Sequence, residues 1–324
     1  MRILVVGASG YIASRAIPVL LDTGNEVVAA ARTPEKLDRF FWREQVAVRE
    51  LDVLDDTSVA SVVTDDIDGI LYLVHGMAGD DFRDTDRNAA TCMRRAADAA
   101  GVQRLVYVSG IIPDVPESDL SEHLKSRWEV EQILSELAGT AITLRAAMIM
   151  GAGSTSYALM SQLARRMPVT VLPDWMNHRV EPLAVSDLAA AIAGAFGATD
   201  GTRHYDVGGG EQLPYPALIS RHLRDNDLER PTVNVPLLPQ SLVGEIAARI
   251  ADVPGPTVRA LIESLREDMV AADQRWIGDL VPASYHTVSV EEALRRATLP
   301  VNYLEAPSRR DPLQLLPGDP RWAR

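Results

Sequence analysis

The residues whose types and spacing could do chemistry begin at the seventh position, where Gly7-Ala8-Ser9-Gly10-Tyr11-Ile12-Ala13 puts small residues at every third step. Gly7 allows a tight turn, Gly10 lets the backbone approach a ligand, and Ala13 lets the following helix lie close to its neighbours. A helix beginning there points its unpaired amides, with a partial positive charge, across the turn. Ser9, Gly10, Tyr11 and Ile12 would then hold a pyrophosphate. A second constellation follows in Val28-Ala29-Ala30-Ala31-Arg32-Thr33-Pro34-Glu35-Lys36. An NAD site usually carries an acid at this point for the ribose hydroxyls, and here the acid is absent. Arg32, seconded by Lys36, suits a 2′-phosphate and a stacked adenine, which favours NADP(H) over NAD(H). The plainer alternative is two solvated basic residues at a helix start.

The elements around these residues must place them at one end of a sheet. Arg2-Ile3-Leu4-Val5-Val6 reads as a strand buried on both faces, residues up to 21 as a helix, and 25–31 as a second buried strand. A helix is expected over 34–41 and a third strand over 46–51, ending in Asp52-Val53-Leu54-Asp55. Asp52 stands where it could accept the adenine amino group; capping the helix that starts near Asp56 is an equal reading of this aspartate pair. Further strands are expected over 68–74, 104–108 and 141–145, with helices over 84–100 and 118–137. This alternation predicts an α/β fold with a doubly wound parallel sheet over residues 1–150. His75, Gly76 and Met77, then Gly79-Asp80-Asp81, leave the fourth strand at its carboxyl end, where ligands of such sheets collect.

Residues 151–306 read as a smaller mixed substrate or lid region, with segments near 180–210 packing back on the sheet, and 307–324 as a ragged tail punctuated by prolines. Trp175, Met176, His178 and Arg179 either line a substrate pocket or close a seam between the two regions.

Composition narrows the partners. A formal charge of −13 and a pI near 4.9 repel polyanions, and no basic stripe is interleaved with aromatics, so nucleic acid is excluded. The first strand begins at Arg2 and the alanine-rich runs are too short or interrupted to span a bilayer, so a cytoplasmic protein without membrane contact is expected. A lone cysteine, Cys92, reads as a small core residue. No spacing suggests a metal site, and Gly-x-Ser-x-Gly is absent.

These pieces together resemble the short-chain dehydrogenase/reductase superfamily in its extended and atypical branches, the NAD(P)H-binding NmrA-like and epimerase-like group with a variable C-terminal extension. The resemblance rests on the glycine turn, the Asp52-Val53-Leu54-Asp55 turn, Asn88, Leu105-Val106-Tyr107-Val108-Ser109, Leu144-Arg145, Val185-Ser186-Asp187-Leu188-Ala189 and Tyr205-Asp206-Val207-Gly208-Gly209-Gly210. It implies a Rossmann fold and adds Val53, Val74, His75, Gly76, Asn88, Val108, Ala146 and Met148 to the cofactor contacts. For His75, a loop histidine satisfied by backbone is the alternative. Such proteins usually carry Tyr-x-x-x-Lys after the fifth strand, the tyrosine giving a proton and the lysine gripping the nicotinamide ribose.

Here that window reads Glu122-His123-Leu124-Lys125-Ser126-Arg127, so His123 replaces the tyrosine and Arg127 the lysine. Four residues apart, the two share a helical face. Arg127 keeps the positive charge, and His123, with a reference pKa of about 6.5, is placed for acid–base work. Ser109 would orient a carbonyl. The expectation is an NADP(H)-dependent oxidoreductase acting on a carbonyl or conjugated double bond of a small apolar substrate, possible as a homodimer. A non-catalytic NADP(H)-binding redox sensor is the alternative that the altered pair favours, and epimerase or dehydratase chemistry ranks third.

Overall fold

The computed structural model describes residues 1–76, 81–199 and 201–323. Its centre is the β-branched run β1 (Arg2–Val6), whose Ile3 and Val5 enter one core cluster while Leu4 and Val6 enter another. A strand covered on both faces has no polar side to show, which is why the run does not alternate. Around it stand β2 (Glu26–Ala31), β3 (Ala47–Glu50), β4 (Gly69–Tyr72), β5 (Arg104–Gly110), β6 (Thr140–Ala146) and β7 (Arg203–Val207), all parallel, in the order β7-β6-β5-β4-β1-β2-β3. The strand order reverses between β1 and β4, so a crevice opens at their carboxyl ends.

Helices cover both faces. On one lies α1 (Tyr11–Asp22); on the other lie α2 (Asp56–Val62), α3 (Phe82–Ala100) and α4 (Glu122–Ser135). Then come α5 (Thr155–Arg166), α6 (Val185–Gly197), which joins α1 on its face, α7 (Tyr215–Asp225), α8 (Gln240–Ile250) and α9 (Gly255–Glu263). Residues of α5, α8 and α9 share a small core of their own. A parallel pair, Thr170–Leu172 with Thr232–Asn234, supports it from the side. Among the described residues no helix is long and apolar enough to cross a membrane.

Three expectations change. The helix over 34–41 is a single 3-10 turn, Pro34–Leu37. Phe40 and Trp42 are both buried and stacked 4.9 Å apart, and residues two apart cannot face the same way on a helix. The helix over 118–137 begins only at Glu122, because Leu120 is extended and the Ser121 hydroxyl accepts from the Leu124 amide at 3.2 Å.

The ragged tail is also corrected. Leu313 is fully buried, and its carbonyl accepts from the Ala152 amide at 2.8 Å. The guanidinium of Arg15 on α1 makes a bidentate pair with Asp319 at 2.6 and 2.7 Å and also donates to the carbonyls of Pro312 and Gln314. A buried cation needs such partners, and they fasten the C-terminal segment across the helix.

Candidate active site

Gly7 takes a φ of +88°, open to glycine at little cost, and a side chain there would press on Val74 Cγ2 at 3.3 Å. The amides of Gly7 and Ala8 donate to the Ala30 carbonyl at 3.2 and 3.0 Å, tying the turn to β2. The first bond of the α1 ladder runs from the Ser14 amide to the Gly10 carbonyl at 3.1 Å, so the amides of Tyr11, Ile12 and Ala13 lie ahead of it. A Cβ on Gly10 would stand 3.2 Å from the Gly7 carbonyl oxygen. The turn is therefore a cradle for an anion that any side chain would crowd.

Below this turn a cavity of about 480 Å³ runs from the sheet end into the C-terminal region. Of the residues singled out from the sequence, Gly7, Gly10, Tyr11, Ile12, His75, Val108, Ser109, His123, Arg127, Ala146 and Met148 form part of its wall. A second, polar cavity of about 330 Å³ is lined by Ser9, Arg32, Thr33 and Lys36. Arg39 extends that cationic edge by donating to the Ser9 carbonyl at 2.8 Å. Thr33 and Arg39 were not legible as site residues, because the path after Lys36 depends on where Phe40 and Trp42 find cover.

Other positions fall elsewhere. Asp52 spends Oδ1 on the Leu54 amide at 3.0 Å, while Asp55 caps α2 through the Thr57 amide at 3.0 Å. Val53 is buried in the core on the α3 face, and Val74 packs on Gly7. Asn88 is exposed on α3 and lines neither cavity, and the buried polar residue of that helix is Asp86. Asp86 accepts from the Gly76 amide at 2.6 Å and from the Ser126 hydroxyl at 2.8 Å, joining the loop after β4 to α4. Met77, Gly79 and Asp80 lie outside the described residues. Of the cluster at 175–179, Met176 enters the large cavity. Trp175 donates to the Leu238 carbonyl at 2.8 Å, and His178 pairs with Asp268 at 3.1 Å.

The end of β5 and the first turns of α4 bring Ser109, His123 and Arg127 to one wall, as their spacing implied. Arg127 is buried and donates to the Val108 carbonyl at 3.3 Å; its Nε has no partner, and it forms no ion pair among the described residues. Ser109 Oγ is also buried without a completed hydrogen bond. Tyr107 stands behind them, its phenol pushed up by burial and partly pulled back by Arg127 and Ser109. The rings of His75 and His123 meet edge to face, 6.3 Å between centroids.

Proximity to Arg127 overturns the argument from histidine's reference pKa. Burial, and then the repulsion of the guanidinium, push His123 down to about 3, and the same two causes, in the same order, hold His75 well below its usual value. At neutral pH both rings are uncharged. His123 can give or take a hydrogen bond but holds no spare proton.

These rings give the fold an acid weakness. His222, buried on α7 against Tyr157, is likewise pushed down by burial to about 4. Each group takes up its proton more readily when unfolded, so its contribution is whole above about pH 6.5 and is lost as the pH falls through the folded-state value. For His123 and His222 the window runs from about 6.5 down to about 3 and about 4. Unfolding free energies from urea titrations across it should fall by up to about 1.4 kcal/mol per pH unit for each histidine, and His123→Gln should flatten the slope. A free energy independent of pH over this range would contradict the assignment.

Comparison with known proteins agrees with this geometry. The family model for NAD(P)H-binding matches residues 7–164, from the glycine turn to the end of α5. Just under half of the chain thus matches an NAD(P)H-binding domain. Among solved structures, triphenylmethane reductase from Citrobacter sp., complexed with NADP(H), superposes with a TM-score of 0.72 at 15% identity, covering 92% of this chain and 100% of that one. An NADPH-dependent quinone oxidoreductase from Escherichia coli gives 0.68 at 18%, covering 91% and 98%. A nucleoside-diphosphate-sugar epimerase from Staphylococcus aureus gives 0.73 at 15%, covering 91% and 100%. At these identities the likeness concerns the fold. A search of the curated proteins finds no match.

Proposed function

We propose that this NAD(P)H-binding chain is an NADP(H)-dependent oxidoreductase that reduces a carbonyl or a conjugated double bond in an apolar substrate. The observation that carries the reading is Arg127, a buried guanidinium with no carboxylate beside it among the described residues, set in the wall of an apolar cavity that begins at the glycine turn. A cation is costly to bury unless something negative arrives.

The residues present fit a dinucleotide phosphate. The amides ahead of the α1 ladder would hold the pyrophosphate, the edge formed by Ser9, Arg32, Thr33, Lys36 and Arg39 would take the 2′-phosphate, and Arg127 would reach the ribose beside the nicotinamide. When bound, the reduced nicotinamide supplies one hydride, two electrons, to the accepting carbon. The substrate oxygen then carries a negative charge until it takes one proton from water as the product leaves. Ser109 and Arg127 offer donors for that charge, and the neutral His123 ring offers a further N–H without competing for the proton. The apolar wall keeps water out and strengthens each of these interactions. The two NADP(H)-linked reductases among the structural relatives agree with this assignment.

NADPH oxidation against a panel of ketones and enones tests the chemistry, and Arg32→Ala tests the cofactor. Loss of one charge-assisted pair should weaken NADPH binding about tenfold or more and leave NADH nearly unchanged. Equal losses for both would remove the case for a 2′-phosphate site. Because His123 is held neutral where a proton donor is usual, a second reading is a protein that binds NADP(H) without turning it over. Thermal stabilisation by NADP⁺ and NADPH with no rate on any panel member would select it.

A further inference from the structure

The large cavity is graded from end to end. Among the described residues, Arg127 is the one charged side chain in its wall, and it stands at the sheet end beside Ser109 and His123. The wall also holds Met148, Met160, Met167, Met176 and Met269, five of the nine methionines in the chain. At the far end the wall is built by α8, where Ile246 both lines the cavity and is 43% exposed. Apolar surface continues outside, with Leu242 48% exposed one turn earlier on the same helical face and Leu237 94% exposed just before the helix. A passage thus runs from a polar end, past flexible thioethers, to an apolar ramp open to solvent.

Resting on the reductase reading above, we infer that the substrate is a linear amphiphile: one conjugated carbonyl head on a hydrocarbon chain long enough to emerge at Leu242. Three features support a chain over a compact ring system. The described wall contains no phenylalanine or tryptophan, and the ring of one of its two tyrosines, Tyr11, is already covered by the Arg15 guanidinium. Methionines adapt to a bent, mobile chain. A compact substrate would leave the exposed Leu237, Leu242 and Ile246 without a use, whereas a protruding chain covers them. The ramp carries no acid or lysine at these three positions, so the emerging segment is a hydrocarbon, not a charged tail.

The test measures binding without turnover. Titration with NADP⁺ alone reads the cofactor assignment, and no binding there would overturn the reductase reading. Calorimetric dissociation constants are then measured for trans-3-alken-2-ones of six, nine and twelve carbons, both with NADP⁺, which has no hydride to give, and with the chain alone. Burial of methylenes tightens binding about threefold for each one added, so six buried methylenes should gain about seven-hundredfold from six to twelve carbons. In Leu242→Asp, at an exposed position where folding is easily verified by circular dichroism, the gain from nine to twelve carbons should fall to within about threefold. A flat wild-type series, tighter binding of cyclohexenone or naphthoquinone than of the twelve-carbon enone, or an unaltered series in Leu242→Asp would each overturn the inference while leaving the cofactor result to stand by itself.

Discussion

Replacing Arg127 by methionine is expected to lower kcat/KM for NADPH-dependent reduction by about a hundredfold to a thousandfold, the usual cost of removing one positioned donor from a developing oxyanion. The melting temperature should hold or rise. Both follow from one fact: the guanidinium is buried, donates a single 3.3 Å bond to Val108, and is neutralised by no carboxylate among the described residues. Without ligands, that charge is a liability to the fold, and an apolar side chain of similar length removes the desolvation cost. A residue kept for structure would behave oppositely, losing stability first and activity only in proportion. His123 supplies an independent readout. With its cationic neighbour gone, one of the two causes that push it to about 3 disappears, so its ring should titrate closer to the ordinary histidine value in an NMR titration. Unchanged turnover, or a variant that melts well below the parent, would sink the functional role given to Arg127.

The second large effect concerns stability. Asp319→Ala should cost about 3–5 kcal/mol in urea unfolding, because it strands the Arg15 guanidinium in a place where the paired side chains are only 2% and 1% exposed. The pair itself need not stabilise the protein much, since its attraction is set against the desolvation of two ions. The double change Arg15→Met with Asp319→Leu should therefore recover most of the loss. That pattern separates an uncompensated charge from a general dependence on the tail. An Asp319→Ala protein as stable as the parent would mean that the C-terminal segment is not fastened in solution. Arg15 also lies over the Tyr11 ring, 4.6 Å from its centroid, so the same variant should loosen the glycine turn and, on the proposed function, weaken NADP⁺ binding.

The dinucleotide turn was legible because backbone conformation and small residues are local properties. Gly7, Gly10 and Ala13 act through φ angles and van der Waals volume, and sequence spacing states both directly. The same holds for Arg127 and His123, whose shared face is a matter of helical pitch once a helix is granted. The exposure of Asn88 was less legible: α3 itself was predictable, but which of its faces meets the loop after β4 depends on Asp86 reaching Gly76 and Ser126 from different elements.

By itself, then, the sequence determined the strand and helix alternation that builds the parallel sheet, the glycine turn after its first strand and the basic pair Arg32 and Lys36 after its second, all of which follow from periodicity, glycine placement and charge. Tertiary structure decided the rest. It set the protonation state of His123 through a neighbour's charge and the loss of water, assembled one apolar passage from methionines between positions 148 and 269, and fixed the last residues through an ion pair 304 positions apart in the chain. Burial and long-range charge are properties of what surrounds a residue, and no local pattern encodes them.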